Sequence, residues 1–294
     1  MLVFSLTIVC CPLNAAARSS TPIILDPVQY EDVPTGTTKI QWLAPSSGNV
    51  TKYIISVREL KVEDTTSNVL KVDKAETTSC YYNISSGKIK PNGLYRASVC
   101  AVLSDGTKKY SPERLFYGAS HNGISSNSTI SFKIYTGFET LTKEAIYYSA
   151  STVDSVLTSI TGEIINTYPY SQGVSSTAYG MNNVSVIVPW TQSENDAPLM
   201  RTIYYYNSLT RKITEADIRI NKAYPWGNGT ASNFDIQNCM THEMGHVAGV
   251  TDKYESFASE WTMYGRGRLG ETKKRTLCEE DRAAIAMLYG GYNE

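Results

Sequence analysis

The chain has 294 residues, of which 41% are hydrophobic, and a formal net charge of -1 at pH 7. A chain of this length and apolar content can fold into two domains that each bury a core. Because the net charge is close to zero, the composition excludes the strongly basic proteins that bind nucleic acids or anionic membranes.

The first residues have the pattern of a secretory signal peptide. Residues 1–13 are mostly apolar, and the small residues Ala15, Ala16 and Ala17 follow where a signal peptidase would cut. This run is too short to cross a membrane, and no later segment reaches about 18 consecutive apolar residues. We therefore predict a signal peptide over residues 1–17 and a secreted, extracellular protein without a transmembrane segment.

Residues 18–118 are predicted to form an all-β sandwich. Short segments of alternating apolar and polar character are separated by Pro, Gly, Asn and Ser, a pattern typical of strands and turns. The predicted strands cover residues 38–43, 52–60, 68–72, 79–84 and 94–103.

Two segments of this region resemble fibronectin type III domains. Ile40, Gln41 and Trp42 are similar to the strand that carries the core tryptophan of that family, and residues 91–101 are similar to its tyrosine-corner strand, with the tyrosine at Tyr95. The resemblance implies a fibronectin type III-like module that binds a substrate, a surface or a matrix partner.

Residues 119–128 are rich in Ser, Asn and Gly and are predicted to be a linker. They include His121, which we interpret as an exposed linker residue.

Residues 129–294 are predicted to form a second domain that contains both strands and helices. Apolar residues recur at helical spacing over residues 141–166. Strands are predicted at residues 129–135 and 184–189, and a hairpin at residues 200–206 and 212–221.

A candidate metal site lies in this second domain. His242 and His246 are four residues apart, so on a helix both rings reach one ion, while Glu243 points to the side. Gly249 can end the helix and return Asp252 toward the metal. Three protein ligands leave a fourth position for water, so the spacing predicts a catalytic Zn²⁺ site with Glu243 as the general base.

The alternative for this motif is a chance pattern in a helix that binds no metal. The chain has three histidines and two of them lie in the motif, which favours metal binding. A carboxylate oxygen is an acceptable zinc ligand. Asp252 is therefore favoured as the third ligand over His121 and over a distant glutamate such as Glu260.

The residues around the motif resemble the metzincin metallopeptidases. Met263 follows the histidines within the segment 259–265, like the turn methionine beneath the zinc of that family. Asp252 stands where most matrixin-type members have a third histidine and is similar to the snapalysin-type arrangement. Three segments resemble the strand before the zinc helix, the opening of that helix and the closing helix of matrixins: residues 213–221, 234–238 and 275–290.

The resemblance implies an α+β domain with a twisted mixed sheet, a zinc helix and a Met-turn, and the activity of an endopeptidase on protein or peptide substrates. Glu243 would take a proton from a zinc-activated water and pass it to the leaving amine. Tyr264 would shape the pocket wall, and the strand at 200–206, which contains Tyr205, would pair with an extended substrate. The alternative is that Tyr204, Tyr205 and Tyr206 only cover the surface of the sheet. The family also implies structural Ca²⁺, although no calcium-binding loop can be identified in the sequence.

Four cysteines remain after removal of the predicted signal peptide. Three pairings are possible, and division between the domains selects Cys80 with Cys100 and Cys239 with Cys278 as disulfides. Cys239 also lies one turn before His242 and could be a metal ligand, but a fourth protein ligand would close the site.

A different class of function is an extracellular adhesion or binding protein whose fibronectin-like module acts while its zinc domain is inactive. Every residue type that the hydrolytic chemistry needs is present in the motif, which favours the enzyme.

Overall fold

The computed structural model of the protein describes residues 19–27, 29–60, 69–124, 129–161, 165–166, 185–191 and 197–289. Within these ranges the chain is mostly β-sheet with few helices. The predicted signal peptide, residues 1–17, lies outside the described residues and stays a prediction.

The first part of the chain forms two sheets that enclose one core, as the alternating pattern predicts. Strands β1 (Ile23–Asp26), β3 (Thr38–Leu43) and β6 (Tyr81–Ile84) form a three-stranded antiparallel sheet. The second sheet contains β2 (Glu31–Val33), β4 (Val50–Leu60), β5 (Val69–Thr77), β7 (Leu94–Leu103), β8 (Lys108–Tyr110) and β9 (Arg114–Gly118).

The core of this sandwich follows from the two-residue period of its strands. In β3, Ile40 and Trp42 are buried while the residues between and beyond them are more exposed. In β7, Tyr95 is fully buried and its ring stacks on Phe116 at 5.4 Å between centroids. The Tyr95 hydroxyl accepts a hydrogen bond from the Lys90 N–H at 2.7 Å, which stabilises the loop before β7.

The second part of the chain contains a mixed five-stranded sheet. Its strands lie in the order β11 (Ile165–Asn166), β10 (Ile130–Ile134), β12 (Ser185–Trp190), β14 (Ile213–Asn221) and β13 (Met200–Tyr206). The first four strands are parallel neighbours, and β13 pairs antiparallel with β14 at the edge. The predicted hairpin is therefore present, and its first strand is an edge strand. A short parallel pair, β15 (Trp226–Gly227) and β16 (Phe234–Asp235), follows.

Three helices pack with this sheet in the described part of the chain: α1 (Thr140–Thr161), α2 (Ile236–Ala248) and α3 (Glu279–Leu288). The helix predicted over residues 141–166 ends earlier, at Thr161, and Ile165 instead begins an edge strand. The Asp154 carboxylate on α1 accepts a hydrogen bond from the Ile165 N–H at 2.8 Å, which ties the strand back to the helix. Tertiary pairing with β10 thus overrides the local helical pattern.

The prediction that His121 is exposed is wrong, and the described residues 119–124 pack against the rest of the chain. Ser120 N–H donates to the Gly249 carbonyl at 3.0 Å, and Ile124 pairs with Ile213 of the mixed sheet. His121 is fully buried. This segment is therefore packed against both parts of the chain. Residues 125–128 lie outside the described residues.

The two predicted disulfides are not formed, because all four described cysteines are free thiols. The Cys80 thiol contacts the hydroxyl of Tyr53, a residue of the sandwich core. Cys100 lies between the core residues Val99 and Ala101 of β7, so its side chain points to the other face of that sheet. In the second pair, Cys278 Sγ contacts Asp281 Oδ2 at 3.0 Å. Cys239 lies in the apolar core around α2.

No helix within the described ranges combines the length and the apolar character needed to cross a lipid bilayer.

We expect Tyr95→Phe to lower the free energy of unfolding by about 1 to 2 kcal/mol, because the Lys90 N–H would lose its acceptor. Tyr81→Phe, at a residue that is 46% exposed, is the matched control. Urea denaturation of the full chain measures both changes. An equal loss in the two variants would contradict the role of the Tyr95 hydroxyl.

Candidate metal centre

The helix that carries the motif has defined caps at both ends. Asp235 accepts a hydrogen bond from the Asn238 N–H at 2.6 Å, which satisfies one of the unpaired donors of the first turn. Gly249 ends the helix with φ of 106°, in the left-handed region that a residue without Cβ adopts easily. The chain reverses there, and Asp252 returns alongside His242 and His246.

The structure brings together the three residues that the sequence singles out as ligands. Asp252 Oδ1 lies 3.0 Å from His242 Nε2 and 3.5 Å from His246 Nε2. Their potential ligand atoms all lie within 4.8 Å of one another. Among the described residues, this is the one cluster of three or more His, Cys, Asp or Glu side chains with that spacing. Structural Ca²⁺, whose ligands also include backbone and amide oxygens, stays a prediction.

The outer nitrogens of both imidazoles are held by backbone carbonyls. His242 Nδ1 lies 2.8 Å from the Thr262 carbonyl oxygen, and His246 Nδ1 lies 2.9 Å from that of Val250. A carbonyl can only accept, so both Nδ1 atoms carry the proton. Each Nε2 of a neutral ring therefore presents its lone pair to the cluster, which is the usual arrangement for histidines that ligate a metal.

Three electron-pair donors facing one another need a positive charge between them. Asp252 Oδ1 is buried and makes no hydrogen bond of acceptable geometry, despite its short distance to the rings. Burial opposes the charging of His246, but the Asp252 carboxylate outweighs it and raises the pKa of His246 to about 9, so without a metal a proton on Nε2 supplies this charge at neutral pH. Burial likewise opposes the ionisation of Asp252, yet the two imidazoles hold its pKa far below its usual range.

A divalent metal ion fits this set of donors. Two imidazole nitrogens and one carboxylate oxygen are ligands that Zn²⁺ accepts, and three protein ligands match its catalytic rather than its structural sites. The residues present therefore fit the metal that the motif implies.

Two side chains beside the cluster were not predicted from the sequence. The Tyr254 hydroxyl donates to Asp252 Oδ2 at 3.2 Å. Burial and the Asp252 carboxylate raise the pKa of Tyr254 to about 12, so this hydroxyl stays protonated. Thr202 Oγ1 donates to Glu243 Oε2 at 2.6 Å. Tyr254 could have been found from the sequence, because it lies two residues after Asp252. Thr202 could not, because its contact with Glu243 depends on how β13 packs against α2.

Met263 packs against the ligand helix at Gly245. It is fully buried, and a Cβ added to Gly245 would clash with its sulfur. Its carbonyl accepts from the Lys253 N–H at 2.8 Å, and the Lys253 carbonyl accepts from the Gly265 N–H at 2.9 Å. The turn around Met263 therefore supports both the helix and the segment that carries the third ligand.

The rival ligands lie elsewhere. His121 Nε2 donates to the His246 carbonyl at 2.9 Å, and burial lowers the pKa of His121 to about 4. It is thus a neutral histidine at the end of α2. The Glu260 side chain is 78% exposed and pairs with Lys273. Cys239 is not part of the cluster, and burial raises the pKa of its thiol to about 12.

Two cavities adjoin the cluster. A cleft of about 720 Å³ runs past all three ligand residues and Glu243 and includes Tyr264 in its wall. A smaller cavity of about 330 Å³ is lined by Tyr204 on the strand β13 and by residues of both parts of the chain. Tyr205, the other residue assigned to substrate binding from the sequence, is 40% exposed and lines neither cavity.

No family model matches the chain, and no curated protein matches it. Among solved structures, it is similar to fibronectin(III)-like modules of Clostridium thermocellum CbhA, with 22% identity over 34% of this chain and 96% of that chain and a TM-score of 0.25. An Fn3-like protein from Clostridium thermocellum has 18% identity over 35% of this chain and 95% of its own, with a TM-score of 0.23. A myokine structure has 17% identity over 34% of this chain and 97% of its own, with a TM-score of 0.25. These weak likenesses carry no argument about the metal centre.

We expect Gly245→Ala to destabilise the protein by about 1 to 2 kcal/mol, because overpacking against the buried Met263 outweighs the gain of about 1 kcal/mol in helix propensity. In a Met263→Ala background the clash is absent, so the same change should be neutral or stabilising. A double-mutant cycle by thermal unfolding measures this coupling.

Gly36→Ala is the control, because its Cβ would meet only Asn122 Nδ2, at 4.0 Å. A Gly245→Ala effect that is the same with and without Met263 would contradict the packing described above.

Proposed function

We propose that the protein is a secreted zinc endopeptidase that hydrolyses peptide bonds of protein substrates. The observation that carries this proposal is the convergence of His242, His246 and Asp252 on one point, next to the buried carboxylate of Glu243. An ion-binding cluster needs only the first three residues. The adjacent carboxylate, in an open cleft, favours hydrolysis over a purely structural site.

The surroundings of the cluster support a metzincin-like domain. The mixed sheet has an antiparallel edge strand, the ligand helix ends at a left-handed glycine, and the buried Met263 packs against that helix at Gly245. These are the features that the sequence resemblance implies for that family. The N-terminal sandwich supports a fibronectin type III-like module in the same way.

Glu243 is the residue to which we assign proton transfer. Its Oε2 is engaged by the Thr202 hydroxyl at 2.6 Å, which fixes the carboxylate and leaves Oε1 as the atom that takes a proton from the attacking water. The same oxygen then delivers this proton to the leaving amine. A Zn²⁺ ion held by the three ligands would supply a lowered pKa for water and Lewis acidity toward the substrate carbonyl.

The strand β13 is the element that we assign to substrate binding. It lies at the edge of its sheet, and Thr202 of this strand lines both cavities. An extended peptide that paired with an edge strand would lie along the cleft. The scissile bond would then pass close to Glu243, because Thr202 contacts that carboxylate.

We expect Glu243→Gln to reduce the hydrolysis of casein by about 10² to 10⁴-fold, the range associated with loss of a general base, while zinc content stays at the wild-type level. Glu260→Gln is the control, because that side chain is exposed and lies outside the cluster. Steady-state rates with fluorescent casein and metal analysis of the same samples measure both effects. If Glu243→Gln cleaved casein at the wild-type rate, the assignment of the proton acceptor would be wrong.

We expect Asp252→Ala to weaken zinc binding by more than about 100-fold. Mutation of residues that only support a ligand already lowers metal affinity by about 10 to 100-fold, and loss of a ligand itself should lower it further. Glu260→Ala should bind zinc like the wild type. Competition with a coloured chelator measures both affinities. Retention of zinc by Asp252→Ala, together with its loss in Glu260→Ala, would show that the distant glutamate is the third ligand.

A further inference from the structure

A buried ion pair joins the sandwich to the segment that carries the third ligand. Asp32 lies on β2 of the sandwich and is fully buried, and Lys253 is 1% exposed. Asp32 Oδ2 accepts from Lys253 Nζ at 2.5 Å. Asp32 Oδ1 accepts from both the N–H and the hydroxyl of Thr251, at 3.1 and 2.7 Å. One carboxylate of the sandwich thus binds the residues on both sides of Asp252.

A second sandwich residue reinforces this contact. Lys253 Nζ lies 4.0 Å from the centre of the Tyr117 ring, a cation–π distance. The Tyr117 hydroxyl donates to Glu255 Oε2 at 2.5 Å. Three alternate residues of the segment, Thr251, Lys253 and Glu255, therefore face the sandwich.

The alternation explains where the intervening side chains go. In an extended segment, successive side chains point to opposite sides. Because Thr251 and Lys253 are fixed toward the sandwich, Asp252 points away from it, toward the histidines. Tyr254, two residues later, points the same way and donates to Asp252. A slip of one residue would place the ligand against the sandwich and Lys253 in the metal centre.

The three ligands differ in what holds them. His242 and His246 are on α2, so the helix itself sets their separation. Asp252 follows the end of that helix, and its position depends on the contacts of its segment. The Met263 turn holds the Lys253 backbone on one side. Asp32 holds the Lys253 and Thr251 side chains on the other.

We propose that Asp32 is a positioning residue for the metal centre, and that the sandwich sets the metal affinity by fixing Asp252. This inference rests on the proposed metal centre but does not require that the protein cleave peptides. It makes the N-terminal sandwich a part of the site, in contrast to a module tethered at a distance.

The test compares metal binding in full-length variants at a temperature where each is fully folded. Asp32→Ala combined with Lys253→Met removes both charges, so neither is left buried alone. Thr251→Val is a milder change that removes one hydroxyl contact with Asp32 and keeps the shape of the side chain. Val57→Ala, in the sandwich core, is the control for lost stability without a contact to the segment.

We expect the double variant to bind Zn²⁺ at least about tenfold more weakly than the wild type, at the lower end of the range for residues outside the ligand shell. Thr251→Val should show a smaller loss in the same direction. The absorption spectrum of bound Co²⁺ should change in the double variant, because the third ligand is displaced. Val57→Ala should match the wild type in both measurements, even at a lower melting temperature.

Zinc affinity within twofold of the wild type in both the double variant and Thr251→Val would overturn the inference, and so would an equal loss in Val57→Ala. A wild-type protein that binds zinc but cleaves no peptide would instead overturn the proposed peptidase and leave the positioning role intact. A wild-type protein without zinc affinity would overturn both proposals.

Discussion

The repulsion between three converging electron-pair donors is the constraint around which this protein is organised. Two imidazole nitrogens and a carboxylate oxygen face one another within 4.8 Å. Such a cluster is unfavourable unless a cation or a proton lies between the donors, so the surrounding structure has to hold them in place before a metal binds. The helix fixes the two rings, backbone carbonyls fix their protonated nitrogens, and the buried Met263 packs against the helix at Gly245.

The third donor needs support from outside its own helix. Asp252 follows the left-handed glycine that ends α2, where the backbone has no helical hydrogen bonds to fix it. Its segment lies between the Met263 turn and the sandwich, and the Asp32 and Lys253 pair is buried at that contact. Burying two charges is costly unless they pair well. The pair therefore specifies one register for the segment, and that register directs Asp252 to the histidines.

Residues 119–124 fix the C-terminal end of the ligand helix α2. His121 donates to the carbonyl of His246, and Ser120 donates to that of Gly249. The His246 carbonyl belongs to the last turn of the helix and also accepts from the Gly249 N–H at 2.9 Å, and the Gly249 carbonyl belongs to the C-cap residue. A segment that is predicted to be a linker from its composition thus contacts the end of the ligand helix and both parts of the chain. This arrangement leaves the smaller cavity bordered by both parts, with the edge strand β13 on one side.

The sequence by itself determined the features that depend on local periodicity. The spacing of His242 and His246, the alternation in β3 and the hairpin of β13 and β14 follow from repeats of 3.6 or 2 residues, and the helix end follows from the left-handed conformation that Gly249 adopts easily. Only the tertiary structure decided the burial of His121, the free state of the cysteines and the contacts of Thr202 and Asp32. Each of these depends on residues that are far apart in the chain. Asp32 and Lys253, for example, are 221 positions apart, and no local pattern in either segment encodes that they meet.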